Sequence, residues 1–383
     1  MSRLGGLAPI MGFSVIYYTQ LHMTKPFVPL YAASAGAGLA GVGVVAAAGA
    51  LLPIFIALPV GILADRRGTR TVLVAGSALS LAALLLLATG PGLALILVAQ
   101  LLAGAGQLMT LVASQSRVAG LSSGRGAERS FSVYTMVASV GQILGPLGGG
   151  FLVTRAGYPG MFLFAAGLAL LALTAALIFP KISGTHAPPP RQEASRARIL
   201  WYLRDPPTRI AILMSCLIAA PDTLRTSLLP VYLETAAQLT VQQVGYVLSL
   251  FSITGLFARL LMPLLADRLG PLTLMAAIGV VVAVVLAAIP FTASVAVLAV
   301  LVALLGLAFG MGKPLSMALV VNEAQADELG LVVALRVTGN RVTDFVAPLC
   351  FGFAAAAAGV GAGFGLGAAL IGLGTIPLWW RRR

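Results

Sequence analysis

Apolar residues in this sequence come in repeated runs of about 20, the length a helix needs to cross the hydrocarbon core of a membrane. Thr71–Thr89 and Met161–Phe179 are examples and Met275–Ile289 is a shorter one, each flanked by Gly, Pro or charge. Hydrophobic residues make up 59% of the 383 and charged residues 9%, against about 45–50% and about 25% in a soluble domain. Read along the chain, spans fall near 7–31, 41–63, 71–90, 92–116, 131–154, 158–180, 208–232, 242–265, 272–290, 294–321, 330–356 and 360–379. The expected fold is therefore an all-α membrane protein with twelve transmembrane helices. The loops left over are short, so any function sits inside the bilayer.

A formal charge of +13 would point a soluble protein toward nucleic acid. Here the charge follows topology instead. With the N-terminus inside, the Lys and Arg outside the spans fall in cytoplasmic segments, including Arg66, Arg67, Arg70 and Arg381–Arg383, while the outer loops hold only Arg155. By the positive-inside rule both termini are cytoplasmic, in a plasma or inner membrane. The first apolar stretch, from about Leu7 to Tyr31, lacks the short core and small-residue cleavage site of a signal peptide, and is expected to remain as the first helix. Cys216 and Cys350 lie in apolar runs and read as small buried hydrophobes rather than a disulfide framework. The longest polar segment, Lys181–Arg209, carries Pro188–Pro190 and six basic residues. It divides the chain into a six-helix bundle over 1–180, a cytoplasmic linker over 181–207 and a second bundle over 208–383.

The two bundles repeat one another. Leu63-Ala64-Asp65-Arg66 before Gly68 returns as Leu265-Ala266-Asp267-Arg268 before Gly270, 202 positions later. The same offset relates Pro146 to Pro348, Gly150 to Gly352 and Gly104 to Gly306, and an offset of 201 relates Pro29 and Tyr31 to Pro230 and Tyr232. Two parallel repeats about an axis normal to the membrane, with a binding site at their interface, are what this pattern predicts.

Gly61-Ile62-Leu63-Ala64-Asp65-Arg66-Arg67-Gly68-Thr69-Arg70 resembles the signature between the second and third helices of the major facilitator superfamily. In physical terms Gly61 would let two helices approach, Gly68 would permit a tight turn, and Asp65 could accept hydrogen bonds from a helix N-terminus. The resemblance makes that terminus the start of the eleventh helix, so that Gly61, Asp65, Arg66, Gly68 and Arg70 form a cytoplasmic latch. The second copy, with Asp267 and Arg268, departs from the pattern at Pro263 and Leu272 and reads as a weaker latch facing Arg129.

In the fifth span, Gly141-Gln142-Ile143-Leu144-Gly145-Pro146-Leu147-Gly148-Gly149-Gly150 resembles the Gly-Pro signature of the superfamily's drug:proton antiporters. Pro146 withholds the donor that would bond the Gln142 carbonyl, and Gly141, Gly145 and Gly149 make a small-residue face for close helix packing. Two features usual in those antiporters are absent. Gln100 stands at the position of their fourth-helix Arg, and the first helix offers Gln20, His22 and Lys25 in place of an acid.

Ionisable residues inside spans cost about 2.5–3.5 kcal/mol each on insertion scales, so they should face a cavity or a partner. Asp222 with Arg225, and Arg341 with Asp344, are spaced i to i+3 and can neutralise one another on a helix face. Lys25, Arg225, Lys313 and Arg341, with Gln20, Gln100 and Tyr18, are candidates to line the substrate cavity; Arg259 and Arg336 lie near cytoplasmic ends and are expected to snorkel or pair. Core packing is the commoner role for the aromatics Phe13, Tyr17, Phe27 and Tyr31. For the proton the candidates are Asp222, Asp344 and His22. Asp222 comes first because it follows Pro221, where the seventh helix is expected to open.

The function expected from residues and resemblance together is secondary active transport, as proton-coupled efflux of a small amphipathic molecule by alternating access. Uptake or exchange of an organic anion or metabolite on the same fold is the alternative, and a non-transporting membrane receptor a remote one. No GxxxxGK[ST] loop for an ATP motor is present, and His22 and His186 are the only histidines, with no HExxH. The chain is thus not expected to be an enzyme. Its expected partners are substrate, protons and the lipid bilayer, without cofactor, metal or nucleic acid, and it is expected to act as a monomer.

Overall fold

The computed structural model describes residues 3–121, 125–180, 205–323 and 329–380, so nearly all of the expected linker lies outside the described residues. Those residues are helical, without strands. In the first half the helices are α1 (Arg3–Thr24), α2 (Phe27–Ser34), α3 (Leu39–Arg67), α4 (Thr69–Ala88), α5 (Leu93–Leu121) and α6 (Arg125–Ile178). The second half has α7 (Pro206–Thr226), α8 (Leu228–Thr235), α9 (Val241–Leu269), α10 (Pro271–Ala288), α11 (Val295–Glu323), α12 (Leu329–Ala358) and α13 (Val360–Trp380).

Among the described residues nine stretches are long and apolar enough to cross a membrane, one of them the 49-residue Ser130–Ile178. Gly157, at φ 69°, breaks that stretch into the fifth and sixth expected spans. With α1–α2 and the shorter apolar α13, the twelve expected spans are accommodated. Span one is itself divided: α1 ends before Lys25-Pro26, because Pro26 has no amide hydrogen to continue the ladder. Span seven divides at Ser227 (φ −117°, ψ −74°), 201 positions after Pro26. It does not open at Pro221, as the sequence suggested. Pro221 takes a helical φ within α7, at the loss of one backbone bond, and the helix continues to Thr226.

The repeat seen in the sequence reappears in the helix boundaries. α8 begins and ends 201 positions after α2, and α9 and α11 begin and end 202 after α3 and α5. Gly68 (φ 83°) and Gly270 (φ 79°) occupy corresponding turns, in a backbone region that side chains with a Cβ resist. At the start of α7, Asp205 accepts from the Thr208 amide at 3.0 Å, and proline at the first helical position lacks only a hydrogen that would have had no partner.

The chain forms two compact units. The first comprises residues 1–37, 48–190 and 240–249, and the second 38–47, 191–239 and 250–383, so each includes the first turns of a helix from the other half. In the first, α1 packs on α6, and α4 on α5 and α6. Its core holds Ile10, Phe13, Tyr17, Leu73 and Phe179, with Phe13 stacked on Tyr17 at 5.9 Å. Phe13, Tyr17, Phe27 and Tyr31 are all buried, in agreement with a packing role. In the second, α10 packs on α11 and α13, and α7 on α11, α12 and α13. Cys216 is half-buried and Cys350 exposed, both as free thiols. Cys350 is thus not the buried hydrophobe expected, because α12 turns that face outward.

Candidate functional site

Polar side chains of the second unit converge where α7 meets α11. Asp222 Oδ1 accepts from Arg225 Nε at 2.8 Å, as the i to i+3 spacing predicted. Its other oxygen, Oδ2, accepts from Lys313 Nζ at 2.7 Å, across 91 residues of sequence. One carboxylate therefore bridges two cations on two helices. Side-chain exposure falls from 53% at Lys313 to 20% at Asp222 and 14% at Arg225, so the ammonium is the accessible end of the trio. Behind it the Arg225 guanidinium lies 4.4 Å from the centre of the Phe251 ring, and Phe251 packs on Phe309 at 5.8 Å. The Gly312-Lys313-Pro314 sequence sits inside α11, which continues through Pro314.

The second predicted pair is also present but looser, with Arg341 Nη1 to Asp344 Oδ2 at 3.4 Å. Further polar links join the same helices. Ser215 on α7 donates to Asn340 Oδ1 on α12 at 3.0 Å, and Arg336 on α12 donates to Ser316 Oγ on α11, also at 3.0 Å. Arg336 is thus tied to a neighbouring helix.

The first-helix candidates belong to the first unit. Tyr18 is half-buried and its hydroxyl is 2.8 Å from that of Tyr134, while its ring stacks on His22 at 6.3 Å. Gln20 is buried, with Oε1 unpartnered. Gln100 is half-buried and Lys25 exposed. Of the predicted cavity residues, then, the structure brings together Arg225 and Lys313, and joins to them the proton candidate Asp222.

The fifth-span motif uses two faces. A Cβ on Gly141 would lie 2.6 Å from Tyr18 Cβ, one on Gly145 2.6 Å from the His22 carbonyl carbon, and one on Gly149 2.5 Å from the Met23 carbonyl oxygen. That face is the seat of α1. On the other, a Cβ on Gly245 would fall 2.5 Å from the Pro146 carbonyl oxygen, and Ser249 Oγ donates to the Ile143 carbonyl at 2.9 Å. The second unit repeats the arrangement, since a Cβ on Gly43 would lie 2.5 Å from the Pro348 carbonyl oxygen. Pro146 itself does not interrupt the helix, whose one non-helical residue is Gly157.

In the loop motif, Gly68 makes the expected turn, whereas a Cβ on Gly61 would meet no atom within 4 Å. Gly61 therefore does not serve close helix approach. Asp65, Arg66, Asp267 and Arg268 are exposed, and the Arg129 side chain expected opposite Asp267 lies outside the described residues. Arg70 has a definite partner, donating through Nη2 to the Leu177 carbonyl. Next to it is a residue that the sequence reading passed over. Arg117 is 4% exposed, donates to the Pro180 carbonyl at 3.2 Å and to Thr69 Oγ1 at 3.4 Å, and covers the Phe179 ring at 4.7 Å. Arg70 and Arg117 together satisfy carbonyls at the end of α6, where helical partners run out and the dipole favours cations. A lone Arg closing the apolar run 93–121 was the available signal. Arg117→Met should lower stability by about 2 kcal/mol, the worth of charge-assisted hydrogen bonds; an unchanged thermal midpoint of the purified protein would remove that role.

Comparison with known proteins decides the family. The sequence profile described as Major Facilitator Superfamily matches residues 10–348 and again 211–383. The chain belongs to the major facilitator superfamily. Among curated protein sequences none matches it. Among solved structures it resembles the nucleoside transporter NupG, with a TM-score of 0.82 at 13% identity over 99% of this chain and 99% of the other. It also resembles a peptide transporter POT in complex with sulfate, at 0.76 and 16% over 98% and 94%. A D-xylose-proton symporter matches at 0.77 and 14% over 99% and 98%. At these identities the likeness is one of fold. This member of the superfamily is thus a multi-pass membrane transporter.

Proposed function

We propose that this transporter is proton-coupled and exports a small amphipathic molecule by alternating access, with Asp222 as the coupling group. The observation that carries the reading is the bridging of Lys313 and Arg225 by one carboxylate. A coupling group must exchange partners during the cycle, and Asp222 holds one partner on its own helix and one on another. For export against proton entry the two must alternate: Asp222 stays ionised on Arg225 while substrate occupies Lys313, accepts a proton once the substrate has left on the outer side, and gives it up on the inner side before the next substrate binds. Other charged groups on helices packed against α7 are Glu234 at the end of α8 and Arg336, Arg341 and Asp344 on α12. Outward direction is supported by the fifth-span motif alone. Transport into everted vesicles should rise several-fold on imposing an inward-acidic gradient. A rate indifferent to that gradient and to protonophores would rule proton coupling out.

The chain is further proposed to act as a monomer of two bundles, 1–180 and 208–383, joined by a cytoplasmic linker, with Asp65 latching the cytoplasmic side. The charge asymmetry supports cytoplasmic termini. Reporters fused after Arg383 or inserted near Pro189 should be active only in a form that folds in the cytoplasm. Activity of an exported reporter at either position would reverse the orientation.

A further inference from the structure

The trio on α7 and α11 is one anion short. Asp222 commits one oxygen to Arg225 and the other to Lys313, so two cations share a single negative charge. Among the described side chains, the other acids on helices packed against α7 are Glu234, at the end of α8, and Asp344, which is engaged with Arg341. Donors are left over as well, since an ammonium has three N–H groups and a guanidinium five, of which Asp222 takes one each. A net positive charge in a membrane span is costly, so the site gains most from a ligand that brings one negative charge. Beneath the accessible Lys313, the Arg225 guanidinium lies against the Phe251 ring and Phe251 packs on Phe309, both rings being buried.

We infer that the substrate is a small organic acid, one carboxylate on an apolar and preferably aromatic body. The carboxylate takes Lys313 and the spare guanidinium donors of Arg225, displacing Asp222 from Lys313, with the apolar body directed toward the side of the buried Phe251–Phe309 pair. Asp222 thus acts as an internal stand-in for the substrate's own anion. This inference rests on the transport reading for its site and narrows the substrate class.

The test is ligand-induced thermal stabilisation of the purified full-length protein in non-ionic detergent. The probes are benzoate, 1-naphthoate and indole-3-acetate, each beside the corresponding amine and alcohol, with acetate and phosphatidylglycerol as separate arms. The aryl acids should stabilise the protein saturably and their amines and alcohols should not, with acetate at least tenfold weaker. Lys313→Gln should weaken acid binding about tenfold or more, and Asp222→Asn should tighten it by a similar factor, because the competing carboxylate is gone. Equal binding of amines or alcohols, or of the acids to Lys313→Gln, would overturn the proposal. So would stabilisation by phosphatidylglycerol with none by the acids, which would assign the charge to a lipid headgroup. Acid binding without gradient-driven transport would instead remove the proposed function and leave the anion site standing.

Discussion

Asp222→Asn is expected to abolish substrate accumulation driven by a pH gradient while leaving downhill exchange intact. Asparagine keeps the size and one acceptor oxygen, so its packing beside Lys313 and Arg225 survives. It cannot bind and release a proton or neutralise either cation. Coupling therefore fails even though the substrate's route does not, and counterflow in proteoliposomes should proceed within a few-fold of wild type. The comparison is with Asp344→Asn, which breaks the looser 3.4 Å pair to Arg341 and should reduce expression or stability more than coupling. If Asp222→Asn still concentrates substrate with wild-type dependence on the gradient, the proton is carried elsewhere, and His22 on α1 becomes the next group to replace.

The second large effect is structural. Gly145→Leu should prevent recovery of folded protein, or lower its stability by at least about 3 kcal/mol, the upper part of the usual range for overpacking. The reason is what the added atoms would meet. A Cβ at Gly145 lies 2.6 Å from both the carbonyl carbon of His22 and the amide nitrogen of Met23. These are backbone atoms of α1, so no side-chain rotation relieves the overlap, and α1 and α6 must separate along the Gly141–Gly145–Gly149 face. Gly167→Leu is the matched control. It lies in the sixth span, past the break at Gly157, and a Cβ there meets nothing within 4 Å. Thermal midpoints and monodispersity in detergent should separate the two variants clearly. Equal behaviour would mean that the α1 seat contributes little.

Several features of this protein were legible without coordinates because they are local or periodic. Apolar run lengths placed the spans, glycine marked the turns at Gly68 and Gly270, and the 202-residue offset anticipated helix boundaries that match in the two halves. The i to i+3 pairs Asp222–Arg225 and Arg341–Asp344 followed from helix geometry. Which helix each face meets was another matter. In a soluble helix the apolar stripe points to the core, but in a bilayer the lipid-facing side is as apolar as the packed side, so hydrophobicity does not distinguish neighbours. The tertiary structure alone therefore decided that Gly145 seats α1, that Gly61 seats nothing, and that Arg117 closes the end of α6. It alone also brought Lys313 to Asp222 from 91 residues away. A span's sequence records how far it crosses the membrane, while the partner of each buried charge is set by which helices pack together.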